Sequence, residues 1–366
     1  MNIHPSSGAA GESLRVSTPG RVCLFGEHQD YLSLPVIPCA ISLRISISGT
    51  VTAEPVLSVD MPDIHAHDRF RIDADVPYVR ERDYCRSVVN VLRRSGLTFT
   101  RGSECRVNGR IPVNAGTSSS SALVVSWVNY LSRMSDQRAP LAPEEIGRLA
   151  HAAEVLEFGE PGGMMDQYST AMGGVIWIGF HPGVRIERLA PPLGTFVLGD
   201  SREPKDTKSI LAGVKNRVLA IVARLSKDHH GFSIFTSPLE SLEEFGGELD
   251  ASERRLLAGT LENRDITIRA RQLLERTELD HRKLGDLLNR HQDVLRDVLG
   301  ISTPKIDRMI SRALQAGALG AKINGSGGGG CMFAYAPEHA AETAEAIERA
   351  GGKAYIVHVD RGTIIE

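Results

Sequence analysis

The chain has 366 residues, 42% of them apolar and 24% charged, a globular profile long enough for two domains with sizeable cores. A formal net charge of −3 argues against a nucleic-acid or membrane partner, since either would need a broad excess of Lys and Arg, so an anionic ligand must be held by local features. The five cysteines (Cys23, Cys39, Cys85, Cys105, Cys331) are odd in number and never stand at CxxC spacing. That speaks against a disulfide framework or a zinc site and for a reducing compartment. MNIHPSSGAAGESLRV lacks the apolar centre of a signal peptide, and no apolar run approaches a membrane span, so the expected location is cytoplasmic. Oligomeric state leaves no trace in the sequence.

In chain order, residues 1–13 read as a loose tail. A strand-like run, Arg21 to Phe25, stops at Gly26 and is followed by Glu27, His28, Gln29 and Asp30. LRISISGTVTA (43–53) alternates as a half-buried strand does. Val88, Val89 and Leu92 stand at helical spacing within 82–96, with Gly96 as a stop. Residues 118–134 read as a helix opened by serines. The helix expected over 143–159 starts near Pro143, ends before Gly159 and carries Glu154. Beyond about 190 the pattern changes. A strand at 195–200 precedes helices over 207–317, then a glycine-rich turn at 325–330, a strand at 331–336, a helix at 337–350 and a strand at 353–359. The expected class is α+β, with domains at 1–190 and 191–366.

Four stretches carry chemistry. In IPVNAGTSSSSALVVSW (111–127), the small residues Asn114, Ala115, Gly116 and Thr117 let backbone approach a ligand. The helix opening offers unpaired N–H groups, and Ser118, Ser119, Ser120 and Ser121 add hydroxyls. This suits a phosphate, although a serine-capped helix is the plainer alternative, and no Walker A lysine follows. In GAKINGSGGGGCMFAYA (320–336), glycines between apolar flanks allow backbone to pack on backbone or on a ligand. In GEPGGMMDQYSTAMGG (159–174), Asp166 among methionines is a candidate base or metal ligand, or else a helix N-cap. Glu154 is either a solvated flank or a pocket carboxylate turned toward the serines. The fourth stretch is the turn after Gly26. A metal site at His65-x-His67-Asp68, whose histidines would share a face on a strand, ranks below an ordinary surface strand.

In order and spacing these stretches resemble the GHMP kinases, the family of galactokinase, homoserine kinase, mevalonate kinase and phosphomevalonate kinase. PGRVCLFGEHQDY (19–31) is similar to the galactokinase signature PGRVNLIGEHTDY, and ISTPKID (301–307) is similar to VSTPELD. The resemblance implies a two-domain fold: an N-terminal domain like ribosomal protein S5 domain 2, a ferredoxin-like C-terminal domain and an active site between them. It implies ATP and Mg²⁺ as cofactors and a small-molecule sugar as substrate. Phosphorylation of a monosaccharide hydroxyl, at the anomeric C1 position, would then give a sugar 1-phosphate and ADP. By the same resemblance Asn114 to Ser121 would wrap the phosphates. Ser120 and Glu154 would face Mg²⁺, and Asp166 would face the acceptor hydroxyl with Arg21 beside it. Glu27, His28, Asp30 and Gly163 would bind the sugar.

Three departures stand against a plain galactokinase. Leu32-Ser33 replaces Asn-Gly, Asn114 replaces a glycine, and 199–217 has no tyrosine but carries Lys205, Asp206, Thr207 and Lys208. A mevalonate-type or phosphosugar kinase of the same family is therefore an alternative. So is a catalytically weak regulator that binds sugar and ATP, although Arg21, Ser120, Glu154 and Asp166 are all present.

Overall fold

The computed structural model describes residues 11–113, 115–204, 207–245 and 247–366, without the side chains of 207–209. The N-terminal tail up to residue 10, Asn114, Lys205 and Asp206 lie outside the described residues.

The longest pairing joins β1 (Ser13–Phe25) to β2 (Ile37–Thr52), antiparallel. β2 pairs onward with β5 (Gly102–Gly109), which runs parallel to β3 (Val56–Met61), and β3 pairs with β4 (Ala66–Arg71). β6 (Val175–Gly179) leaves β2 at Cys39 and carries β7 (Arg185–Leu189). Helices α1 (Tyr84–Arg94), α2 (Ser119–Met134), α3 (Pro143–His151) and α4 (Met165–Met172) complete this half. Alternation along β2 and β3 turns Ile47, Leu57 and Val59 into a core shared with Val88, Leu131 and the stacked pair Trp127 and Tyr130. Each such large side chain contributes roughly 1.5–3 kcal/mol by leaving water.

The second sheet is β11 (Lys353–Val357), β8 (Phe196–Asp200), β10 (Cys331–Tyr335) and β9 (Gly320–Ile323), in that order and antiparallel throughout. The helices of this half are α5 (Thr207–Asp228), α6 (Ala251–Leu274), α7 (His281–Asp297), α8 (Pro304–Gln315) and α9 (Ala340–Arg349). Local chemistry sets their starts. Asp250 and Glu253 form a reciprocal capping box on α6, and Asp280 caps α7. Thr303 caps α8 with Pro304 in the first turn.

The chain changes sheets between β7 and β8, but its end returns, since β12 (Ile364–Ile365) pairs with β1. A shared apolar cluster joins Leu24, Phe25 and Ile37 to Phe196, Leu284 and Phe333, so the two halves are packed against each other. All five cysteines are buried free thiols. Among the described residues no helix is long and apolar enough to cross a membrane.

Two local expectations need correction. The helix predicted over 143–159 is α-helical only to His151, then widens into a π-helical turn at Ala152–Leu156. His65 and His67 do not share a strand face. His65 sits in a left-handed turn at φ 50°, and only His67 lies on β4.

Candidate active site

The site is built where the C-terminal end of β1 meets α4, the loop before α2 and the glycine loop between β9 and β10. After Phe25 the chain turns at Gly26 (φ 96°) and His28 (φ 61°), then makes a short 3₁₀ turn at Asp30–Leu32. Gln29 is buried and ties this turn to α6: its Nε2 donates to Thr260 O (3.3 Å), and its Oε1 accepts from the Thr267 hydroxyl (3.4 Å). Leu32, one of the departures noted above, fills the core of the second half beside Leu34. The turn is therefore carried by one half and anchored in the other.

Arg21 and Asp166 form a bidentate pair. Nε and Nη2 of Arg21 donate to Oδ1 and Oδ2 of Asp166 at 2.8 and 2.9 Å. Asp166 lies inside the first turn of α4, and Met164 holds the N-cap position, so the carboxylate is not a cap. The arginine side chain is 4% exposed and the aspartate 30%, so the pair is open to the cleft from the carboxylate side. Nη1 of Arg21 donates to Gly116 O at 2.5 Å, which brings the phosphate-type loop to the same cation. Burial, the largest single influence, works against the Arg21 charge, but Asp166 together with Cys23 and Glu27 holds the pKa above the ordinary arginine value. The methionines around Asp166 fix α4: Met165, Tyr168 and Met172 pack with Cys23, Val36 and Ile176.

Asp30 stands beside this pair. Its Oδ1 accepts from Tyr31 N at 2.9 Å. Its Oδ2 lies so close to Gly163 that a Cβ there would sit 2.1 Å away, so only glycine leaves the carboxylate its place. Burial, then the Asp166 charge, pushes the Asp30 carboxyl up to about 6. The His28 ring bridges two partners, Nε2 to Ser326 O (3.0 Å) and Nδ1 to the Tyr31 hydroxyl (2.7 Å). A carbonyl only accepts, so Nε2 carries a proton, and in the neutral ring Nδ1 accepts from Tyr31.

On the other side of Asp166, Ala115 to Ser118 lead into α2. Ser118 is left-handed (φ 59°), and its buried Oγ has no protein partner. Ser119 is half-buried, Ser120 exposed, and Thr117 and Ser121 buried. The π-helical turn carries Glu154, 6% exposed, whose Oε2 accepts from Gln167 Nε2 at 2.6 Å. Such wide turns inside helices recur at functional sites. Burial raises the Glu154 pKa, hydrogen bonds from Gln167, Ser120 and Ser121 offset part of the rise, and the Asp166 charge adds to it. Of the two readings of Glu154, the pocket carboxylate holds. Among the described residues no group of three His, Cys, Asp or Glu could enclose a metal. One carboxylate plus serine hydroxyls fits instead a hard cation whose other ligands come from phosphate and water, and the orphaned Ser118 hydroxyl fits an acceptor-rich ligand at the same helix start.

Glu27 differs from its neighbours in the turn by how it is partnered. It borders the cavity but is 1% exposed, and both of its oxygens are taken. Oε2 is paired with Lys322 Nζ, and Oε1 accepts from Gly325 N at 2.7 Å. Both oxygens are thus engaged by protein donors at the cavity's edge. Four further residues escape motif reading. Asn324 bridges Cys23 N (2.8 Å) and Gly116 O (2.8 Å). Gln167 holds Glu154, and Arg82 pairs bidentately with Glu160 (2.8 and 2.7 Å) at the cavity wall. Lys322 is the fourth, and it had a visible sign: a lysine inside GAKI, a four-residue strand buried throughout.

Comparison with known proteins places this geometry. Residues 83–174 match the GHMP kinases N terminal domain, 270–354 the GHMP kinases C terminal, and 8–50 the galactokinase galactose-binding signature. A mevalonate kinase of Pyrococcus horikoshii is 30% identical over 355 residues, 94% of this chain and 95% of its own. A galactokinase of Mannheimia succiniciproducens is 27% identical over 333 residues, 88% of this chain and 85% of its own. The chain belongs to the GHMP kinase family. Its fold is similar to that of Lactococcus lactis galactokinase crystallised with galactose, at a TM-score of 0.85 and 20% identity over 97% of this chain and 95% of that one. It is also similar to that of Methanococcus jannaschii mevalonate kinase, at 0.74 and 18% over 96% and 100%.

Proposed function

We propose that this GHMP kinase transfers a phosphoryl group from ATP, with Mg²⁺, to a hydroxyl of a monosaccharide, and that the hydroxyl is the anomeric one. The observation that carries the reading is the accessible Asp166 carboxylate, clamped by Arg21 and flanked by Asp30 in the place that Gly163 opens. Phosphoryl transfer asks a protein mainly for positioning and charge neutralisation. Arg21 keeps Asp166 oriented and supplies a cation next to the loop at Gly116. Asp166 accepts the proton of the attacking hydroxyl. Asp30 accepts hydrogen bonds from neighbouring hydroxyls, with the His28 ring as a wall of the same pocket, which selects among epimers. Ser120 and Glu154 would hold Mg²⁺, and Ala115 to Ser121 with the start of α2 would hold the phosphates. Bound there, the cation would neutralise charge on the transferring group.

A second reading, phosphorylation of mevalonate, is favoured by one observation: the mevalonate kinase relatives match at 27–30% identity across 94% or more of this chain. The galactose-binding signature at 8–50 favours the sugar. The deciding experiment is turnover of ATP with D-galactose, L-arabinose, D-galacturonic acid, other hexoses and mevalonate, with ³¹P NMR of the product. A phosphate coupled to an anomeric proton is expected. Turnover of mevalonate alone would replace the sugar reading.

A further inference from the structure

Lys322 is fully buried in β9, a strand whose four residues are all buried. A buried ammonium is costly unless each of its three donors finds an acceptor. Here the count closes. Nζ donates to Cys23 O (3.0 Å), Ile323 O (2.9 Å) and Glu27 Oε2, and it lies 5.1 Å from the Phe333 ring. Glu27 hands the constraint on: its Oε1 accepts from Gly325 N at 2.7 Å. Gly325 is left-handed (φ 79°) and packs so closely on Gly116 that a Cβ would lie 2.8 Å from Gly116 O. That carbonyl accepts from both Asn324 and Arg21. The next carbonyl along the glycine loop, Ser326 O, orients His28.

We infer that Lys322 and Glu27 are a pair of positioning residues. They set the glycine loop, and through it the Gly116 carbonyl beside Arg21 and the ring of His28. The pair joins a strand of the second sheet to the turn after β1, so the pocket is shaped from the other half of the fold. A displacement of about 1 Å in such a constellation costs on the order of 10²-fold in rate. The inference rests on the site described above but not on the identity of its acceptor.

The test combines Lys322→Met, Glu27→Gln and their double variant. Hydrogen–deuterium exchange on the ligand-free protein should show peptides covering 113–121 and 320–331 exchanging at least tenfold faster in Lys322→Met, with α3 and the exposed end of α9 unchanged. Steady-state kinetics should show kcat/KM down by about 10²-fold in each single variant, shared between kcat and KM. D-galactose and mevalonate serve as acceptor probes in parallel. The double variant should be no worse than either single one, because both remove the same constraint. It leaves no unpaired buried charge, so it keeps the test if a single variant fails to fold. Unchanged exchange at 320–331 would overturn the inference. So would a Glu27→Gln effect confined to the acceptor KM and additive with that of Lys322→Met. The exchange experiment contains no substrate, so its result stands even if the acceptor is not a sugar.

Discussion

Two cation–carboxylate pairs stand at the end of β1, and they differ in what is left of the carboxylate. In Arg21–Asp166 the cation is sealed at 4% exposure while the carboxylate side chain stays 30% exposed. In Lys322–Glu27 both partners are sealed, at 0% and 1%. The first is an oriented charge with one side free for chemistry. The second has no free side, and its remaining oxygen is spent on a backbone amide of the glycine loop. Similar residue types thus divide into a pair with an accessible carboxylate and a sealed pair, and solvent access rather than residue type separates them. The contrast predicts opposite signatures on mutation.

The largest effect belongs to Asp166→Asn. The side chain keeps its size but can no longer take a proton and accepts from only one of the two Arg21 donors, so kcat should fall by about 10³-fold, within the usual range for a positioned base. The sealed Arg21 loses its counter-charge, so some stability goes too, but less than from a fully buried pair because the carboxylate side is open to water. A kcat that hardly changes would remove Asp166 from the reaction. Lys322→Met should reverse the pattern, since Glu27 is left buried without its cation. Breaking such a pair costs about 3–5 kcal/mol, to be read from urea unfolding. Adding Glu27→Gln should return most of that loss. A single variant as stable as the parent would place the pair in solvent after all.

The two pairs were not equally legible in the sequence. Arg21 and Asp166 stand in stretches whose resemblance to a family names them, and the structure brings them together over 145 positions of chain. β1, which carries Arg21, shows in the run Arg21 to Phe25, whereas α4, which carries Asp166, has no comparable local sign. Lys322–Glu27 spans 295 positions, and no local pattern joins a lysine in one strand to a glutamate in a distant turn. Motif reading therefore shows Glu27 beside the sugar but not its partner Lys322, because the pairing is a property of tertiary packing. The π-helical turn that presents Glu154 is likewise absent from the sequence pattern, since the apolar spacing over 143–158 reads as ordinary helix.

Gly163→Ala sharpens the comparison on the substrate side. The added Cβ would meet Asp30 Oδ2 at 2.1 Å, a distance no pair of heavy atoms tolerates, so the Asp30 carboxylate must move. The three atoms nearest to that Cβ all belong to Asp30 and none to either ion pair. The acceptor KM should therefore rise roughly tenfold while kcat falls less, the mark of lost ground-state binding. An unchanged KM would show that Asp30 does not contact the acceptor.

The smallest effect is the most specific. Asp30 has a folded pKa of about 6 against an ordinary 3.8, raised by burial and by Asp166. Its proton is held more tightly in the folded state than in the unfolded one, so ionising it costs stability. That cost is absent below about pH 4, grows between 4 and 6, and is complete above 6. Asp30→Asn should therefore be more stable than the parent at pH 7.5 by about 1 kcal/mol, a figure reduced for the partial exposure of the side chain, and the gain should vanish near pH 4. Activity runs the other way. The ionised carboxylate is the better acceptor of hydroxyl protons, so acceptor kcat/KM should climb as pH rises through 6 in the parent, and Asp30→Asn should lack that rise. A stability gain and an activity loss that share one titration near pH 6 would tie Asp30 to the acceptor. A gain in stability with an unaltered pH–rate profile would leave Asp30 a strained neighbour of Asp166 and nothing more.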